Sequence, residues 1–216
     1  MVNLRGTDRR IGRVKRMRIL QTVILVASAM LLPATGWSQD FAKGQDAYFS
    51  GDYQTAMTEW QPLAEAGQMD GQYGMGLLYA NGFGVDMNDD QALKWYGLAA
   101  DQGHAEAQAN LAVMYANGWG VPQSNEMALK WYTLAADQGL TLAQVSVAKM
   151  YRDGFGTDKD LAEARKWFTI AANLGDSNAG YKVEDLAGHM SAEEIAAGDD
   201  LANAWMESHQ HLAATQ

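Results

Sequence analysis

A repeat of 36 residues constrains the fold of this chain more than any other feature of its sequence. Six landmark positions keep this period through three copies: Tyr79, Tyr115 and Tyr151; Gly82, Gly118 and Gly154; Gly84, Gly120 and Gly156; Ala92, Ala128 and Ala164; Trp95, Trp131 and Trp167; Gly103, Gly139 and Gly175. A single globular core imposes no such period. A stack of helix pairs does, because each pair buries its apolar face against the next. The sequence therefore predicts an all-α fold, an α-solenoid of stacked antiparallel helix pairs.

Each copy carries the start and stop signals of two helices. A first helix ends at the repeated tyrosine, and a Gly-aromatic-Gly loop then lets the chain turn with positive φ. The second helix begins at a residue whose side chain can accept hydrogen bonds from free amides, and it ends at a glycine. These positions are Asn88, Ser124 and Asp160 at the start and Gly103, Gly139 and Gly175 at the end.

Two sets of repeated aromatics have different interpretations. Trp95, Trp131 and Trp167 share a helical stripe with repeated alanines, which favours packing in the core over a ladder for a ligand. The loop aromatics Phe83, Trp119 and Phe155 either plug the groove beneath them or stand exposed for a partner.

The repeats divide the chain into five predicted segments: a signal peptide over residues 1–38, an opening tetratricopeptide-like helix pair over 39–67, three 36-residue repeats over 68–175, closing helices over 176–207 and a flexible tail over 208–216. The closing segment contains Ser191 and Glu194, which predict a capping box at the start of its last helix. A terminal unit that departs from the repeat pattern closes the exposed end of a solenoid.

The first 38 residues have the composition of a targeting segment. Seven basic residues in positions 1–18 precede an apolar run over 19–32, and small residues follow it. The run has 14 residues, which is short for a spanning helix that needs about 20. We predict a secretory signal peptide and a periplasmic or secreted protein, with an uncleaved N-terminal anchor as the alternative.

The charge of the remaining chain limits its partners. Residues 39–216 carry nine basic and 25 acidic side chains, a net charge of −16. Nucleic acid and anionic lipid would be repelled, so we expect a membrane contact only if the N-terminal segment is uncleaved, and the charge favours basic partners. The chain has no cysteine, which removes disulfides, thiolate metal sites and cysteine nucleophiles.

The sequence predicts no enzyme and no metal site or cofactor. His104 falls at a repeat junction, where a surface or capping role is expected, and His209 with His211 would need further metal ligands that a loose tail does not supply. No phosphate-binding glycine loop, nucleophile elbow or metal-binding helix signature is present.

The repeat resembles the Sel-one-like repeat, a relative of the tetratricopeptide repeat. The best-matching copy carries Ala105, Ala107, Leu111, Tyr115, Gly118, Gly120, Val121, Lys130, Trp131, Tyr132, Ala135, Ala136 and Gly139. The resemblance implies a right-handed superhelix of helix pairs that binds other proteins or peptides, commonly as an adaptor or regulator in the bacterial envelope.

The resemblance also suggests where a partner binds. In tetratricopeptide-like pairs the first helix lines the concave groove, and counting from the repeated tyrosines places three positions of each first helix in it. The predicted residues, with three neighbours, are Asp70, Tyr73, Leu77, Asn81, Glu106, Val113, Asn117, Leu142, Val145, Lys149, Arg152 and Asp153. The alternative is that these are ordinary solvated positions.

We therefore expect an exported monomeric scaffold that binds a protein or peptide, and the net charge favours a basic one. The alternative is a glycan-binding accessory or an enzyme acting on cell-wall or exopolysaccharide chains through exposed tyrosine and tryptophan.

Overall fold

This computed structural model describes residues 37–213 of the chain, and side chains from residue 41 to residue 212. Over that range the structure contains α-helices and no strand. The helices are α1 Trp37–Ser50, α2 Tyr53–Glu65, α3 Met69–Asn81, α4 Asp89–Asp101, α5 Ala105–Asn117, α6 Asn125–Asp137, α7 Thr141–Asp153, α8 Leu161–Asn173, α9 Ser177–Ala187, α10 Ala192–Ser208 and α11 Gln210–Ala213. The prediction of a signal peptide lies outside the described residues except for its last two positions.

The all-α solenoid fold predicted from the repeat is confirmed. The chain forms two compact units, which meet in sequence at Asn110 and Leu111. In the first unit α1 packs on α2, α2 on α3 and α3 on α4; in the second, α6 packs on α7, α7 on α8 and α8 on α9. No helix between residues 37 and 213 combines the length and apolar character that crossing a membrane requires.

Helix α3 contains three glycines that each permit a close approach of a neighbouring helix. A Cβ on Gly71 would lie 2.6 Å from the Ala64 amide nitrogen, one on Gly74 would lie 2.5 Å from a Trp60 ring carbon, and one on Gly76 would lie 2.5 Å from a ring carbon of Tyr96. These distances are shorter than van der Waals contact allows. Glycine lowers the intrinsic stability of the helix, and here it makes room for buried aromatic rings of α2 and α4.

The predicted helix signals are present in all three copies. The side chains of Asn88, Ser124 and Asp160 accept hydrogen bonds from backbone amides three residues ahead, at 3.0, 3.2 and 3.0 Å. The capping box between Ser191 and Glu194 also forms. The repeated loop and closing glycines have positive φ, from 67° at Gly120 to 97° at Gly175. Local sequence therefore sets the helix boundaries.

The repeated tryptophans are not buried as uniformly as the sequence suggested. Trp167 is 2% exposed, whereas Trp95 and Trp131 are only half-buried. In the first copy the following aromatic takes the interior position, since Tyr96 is 0% exposed; in the second copy Tyr132 is half-buried, and in the third Phe168 is buried together with Trp167. The lysine before each tryptophan lies over the indole ring, 4.7 to 5.8 Å from its centroid, which partly covers a ring at the surface.

Helix α10 closes the second unit by packing along α8. Arg165 of α8 donates two hydrogen bonds to Asp199 of α10, at 2.8 and 3.0 Å. Trp205 packs its ring edge against Trp167, and its indole nitrogen donates to Asp137 at 3.1 Å.

The segment from Ser208 was expected to be loose, but its described part is helical and packed. The ring of His209 stacks on Trp205 with 4.0 Å between centroids. Leu212 lies against Gly139, where an added Cβ would be 3.0 Å from a leucine methyl group. Tertiary contacts of one tryptophan and one leucine therefore order a polar segment that has no strong helix signal of its own.

Candidate functional site

The twelve predicted partner-binding residues all lie on first helices, α3, α5 and α7. Three of them are buried: Leu77 is 5% exposed, Val113 3% and Asn81 9%. The Asn81 side chain donates to the Leu77 carbonyl at 2.9 Å. The two apolar side chains are part of the core, and the Asn81 side chain bonds to its own helix. These three residues are therefore not accessible to a partner.

In the first unit, Asp70, Tyr73 and Glu106 surround His104. The His104 ring stacks on Tyr73 with 4.4 Å between centroids. Its Nδ1 accepts from the Ala107 amide at 3.3 Å, so the histidine caps α5 as the sequence suggested. Asp70 Oδ1 lies 3.6 Å from His104 Nε2, and Glu106 Oε2 lies 3.3 Å from Nδ1.

Burial dominates the electrostatics of this cluster. It lowers the pKa of His104 below the ordinary value of 6.5, although Glu106 and Asp70 act in the opposite direction. Burial, followed by the charge of Glu106, raises the pKa of Tyr73. A neutral imidazole and a neutral phenol therefore pack together at neutral pH. The cluster joins the N-terminal turns of α3 and α5 and leaves the Asp70 carboxylate, whose side chain is 52% exposed, as its most accessible group.

In the second unit, α7 presents its predicted residues on one stripe. Leu142, Val145, Lys149 and Arg152 follow one another at intervals of three or four residues, which places them on one helical face. The first two are half-buried and Lys149 is exposed. Arg152 donates two hydrogen bonds of 2.7 Å to the adjacent Asp153, which lowers the pKa of that carboxyl group. The remaining predicted residue, Asn117 of α5, is exposed and donates to the Val113 carbonyl at 2.8 Å.

Two residues of α9, Tyr181 and Lys182, were not predicted from the sequence as candidate residues. Tyr181 is 72% exposed and stands one period after Val145 and three periods after Tyr73. Lys182 follows it and acts electrostatically on Lys149. Extending the 36-residue count by one period would have found Tyr181, but the tyrosine and loop glycines that anchor the count are absent after α9.

The loop aromatics differ in burial from one copy to the next. Phe83 stacks on Tyr53 with 4.3 Å between parallel rings and fills the space beside α2. Phe155 is 55% exposed, and Trp119 is half-buried. Among residues 41 to 212, no cluster of three His, Asp or Glu side chains could hold a metal ion.

Comparison with known proteins agrees with this architecture. A family model described as the Sel1 repeat matches residues 70–104, 105–140 and 141–176. The chain is 34% identical to a Sel1 repeat protein from Oxalobacter formigenes of known structure, with a TM-score of 0.56; the match covers 60% of this chain and 98% of that one. It is 24% identical to c5321, a protective antigen of uropathogenic Escherichia coli strains with an SLR fold, with a TM-score of 0.51. That match covers 82% of this chain and 47% of the antigen. No curated protein matches the chain. The three matched repeats and the Oxalobacter relative show that the chain belongs to the Sel1 repeat family.

Proposed function

We propose that this chain is an exported scaffold that binds a protein or peptide partner in the bacterial envelope, as an adaptor or regulator. Sel1 repeat proteins are generally scaffolds for protein interaction and are not known as enzymes. The basic and apolar segments within residues 1–32 support export. We further propose that the chain acts as a monomer.

The observation that supports this proposal is that the repeated positions are used for packing, whereas the accessible positions vary between copies. The repeated alanines Ala92, Ala128 and Ala164 are fully buried, and the repeated glycines and caps are used in turning the chain. The accessible first-helix positions differ instead: one position is Asp70 in the first copy and Leu142 in the third. Positions that packing does not fix are free to specify a partner.

Site-specific photo-crosslinking in the native host tests the proposal. A benzophenone amino acid would replace Asp70 or Asn117, which are exposed on first helices, in the full chain. Matched control positions are Leu98 and Leu134 on second helices, which are 41% and 40% exposed. We expect a discrete protein adduct from at least one first-helix position and none from the controls.

Other adduct patterns would contradict the proposal. Equal adducts from all four positions would show that no face is selected, and adducts from the controls alone would move the binding surface to the second helices. The absence of any protein adduct in cells that express the chain at its native level would refute the scaffold function. Mass spectrometry of the native protein tests export separately, because a cleaved signal peptide removes about 38 residues.

Glycan binding is a second candidate, because exposed aromatic rings can stack on sugars. Among the described residues of the second unit, Phe155 and Tyr181 are the two aromatic side chains with more than half of their surface exposed. Sedimentation with purified peptidoglycan discriminates the two functions. Binding that is lost in Tyr181→Ala and Phe155→Ala variants would favour the glycan, and no binding would leave the protein partner.

A further inference from the structure

Two lysines on first helices of the second unit, the exposed Lys149 and the half-buried Lys182, have no ion-pair partner among the described residues. Lys149 lies on α7 and Lys182 on α9, and both helices pack against α8. The other cations of α7 and α8 are engaged: Arg152 with Asp153, Arg165 with Asp199 and Lys166 with Glu163. We call the surface formed by Leu142, Val145, Lys149, Arg152, Tyr181 and Lys182 the α7–α9 face.

Lys149 is repelled by neighbouring cations although the chain is strongly acidic. After burial, the largest influences on the pKa of Lys149 are Lys182 and Arg152, which lower it more than Asp153 and Asp176 raise it. Both of these carboxylates are already engaged, because Asp153 accepts from Arg152 and Asp176 accepts from two amides of α9 at 2.8 and 3.1 Å. Asp185 also acts electrostatically on Arg152, and neither Lys149 nor Lys182 has an ion-pair partner among the described residues.

Apolar groups lie beside these charges on the same two helices. Leu142 and Val145 are half-buried on the stripe of α7 that carries Lys149. Tyr181, 72% exposed on α9, occupies the repeat position of Val145 and immediately precedes Lys182. An amphipathic ring and two aliphatic side chains can cover an apolar side chain, while the ammonium groups beside them meet carboxylates.

We propose that the α7–α9 face binds an acidic segment of a partner protein, with Lys149 and Lys182 contacting its carboxylates and Tyr181 packing on an apolar side chain between them. This proposal rests on the scaffold function above and specifies the chemistry of one of its binding surfaces. It differs from the expectation of a basic partner, which follows from the net charge alone.

Fluorescence anisotropy on the full chain tests the charge preference. The probe is a labelled peptide of glutamates flanking a central phenylalanine, and the reference peptide has glutamine in place of every glutamate. The Lys149→Glu/Lys182→Glu variant should bind the glutamate peptide about tenfold more weakly than the unsubstituted chain, since two attractive contacts become repulsive. Lys94→Glu/Lys130→Glu is the control, because it makes the same change in net charge at two lysines that lie on second helices outside the face.

Four outcomes would overturn the proposal. Equal binding of the glutamine peptide would remove the role of carboxylates, and equal weakening by the Lys94→Glu/Lys130→Glu control would reduce the effect to net charge. A dimer that Lys149→Glu/Lys182→Glu dissociates in sedimentation would assign the face to a second copy. Lysine-dependent binding to phosphatidylglycerol vesicles, without binding to the peptide, would assign it to a membrane. If crosslinks from Asp70 or Asn117 still form in any of these cases, the proposed scaffold function stands and only the proposal of an acidic partner segment is refuted.

Discussion

The Trp60 indole is held between glycines of two neighbouring helices, and this arrangement makes a quantitative prediction. The ring is 1% exposed, and its nitrogen donates to the Phe41 carbonyl at 3.1 Å. A Cβ on Gly44 of α1 would lie 2.6 Å from one ring carbon, and a Cβ on Gly74 of α3 would lie 2.5 Å from another. The ring cannot retreat from Gly74 without moving toward another neighbour.

Gly74→Ala should therefore destabilise the first unit. Contact distances of 3.4 Å or more require a displacement of about 1 Å, and overpacking of this kind costs about 1 to 3 kcal/mol. The higher helix propensity of alanine offsets this cost by about 1 kcal/mol. Gly97→Ala in α4 is the matched control, because nothing lies within 4 Å of its added Cβ. The control gains the same propensity without the clash, so the two variants should differ by about 1 to 3 kcal/mol.

Urea denaturation followed by circular dichroism measures this difference, and hydrogen exchange locates it. We expect weaker amide protection in α2 and α3 of Gly74→Ala and unchanged protection in α8. In a Trp60→Leu background the difference between the two alanine variants should shrink, because the ring that creates the clash is gone. Equal stabilisation by Gly74→Ala and Gly97→Ala in the unsubstituted chain would refute the proposed confinement of the ring.

Three further predictions concern a turn, a titration and the closing helix. Gly156→Ala should lower the free energy of unfolding, measured by urea denaturation, by about 2 kcal/mol or more, because φ is +77° and the added Cβ would lie 2.5 Å from the Asn125 carbonyl carbon. Gly51→Ala is the control: its φ is +85° but its added Cβ meets open space, so the loss should be about 1 kcal/mol. Because burial lowers the folded-state pKa of His104, the contribution of this histidine to stability is complete above about pH 6.5 and is lost as pH falls through the folded pKa. The free energy of unfolding of His104→Gln should therefore depend less on pH over this range. An NMR titration should place the folded-state pKa of His104 below 6.5. Trp205→Ala should cost about 3 to 5 kcal/mol and increase hydrogen exchange in α10 and α11, whereas unchanged exchange there would show that the tryptophan does not hold the closing helices.

The sequence was informative about helix boundaries because the signals for them are local. A cap such as Ser124 needs only its own first turn, and a glycine such as Gly120 needs only its own φ. The glycines of α3 could not be interpreted in the same way. Gly74 lowers helix propensity when the sequence is considered alone, and its purpose appears only when Trp60 of another helix is placed against it.

The sequence predicts on which side of a helix each candidate residue lies, but it does not predict how deeply the side chain is buried. Counting from the tyrosines placed Leu77 and Lys149 at the same repeat position, yet the first is buried and the second exposed. Helical spacing fixes the side of a helix on which a residue lies, whereas depth depends on the side chains that neighbouring helices supply. Tyr181 was missed for a related reason, since the landmarks that continue the count end before it.

Net charge and local charge act on a partner at different distances. Screening limits the interaction of exposed charges to about 8 Å at physiological ionic strength, so the charge of −16 on residues 39–216 mainly affects the approach of a partner. Once a segment touches the α7–α9 face, Lys149 and Lys182 are the cations of that face without an ion-pair partner among the described residues. The basic partner inferred from composition therefore concerns the approach of the two proteins, whereas the acidic segment inferred from this face concerns the contact that they form. The contact residues of the second unit favour the acidic segment because two ammonium groups without an ion-pair partner can bind its carboxylates, whereas the nearby Asp153 and Asp176 already accept hydrogen bonds from other groups.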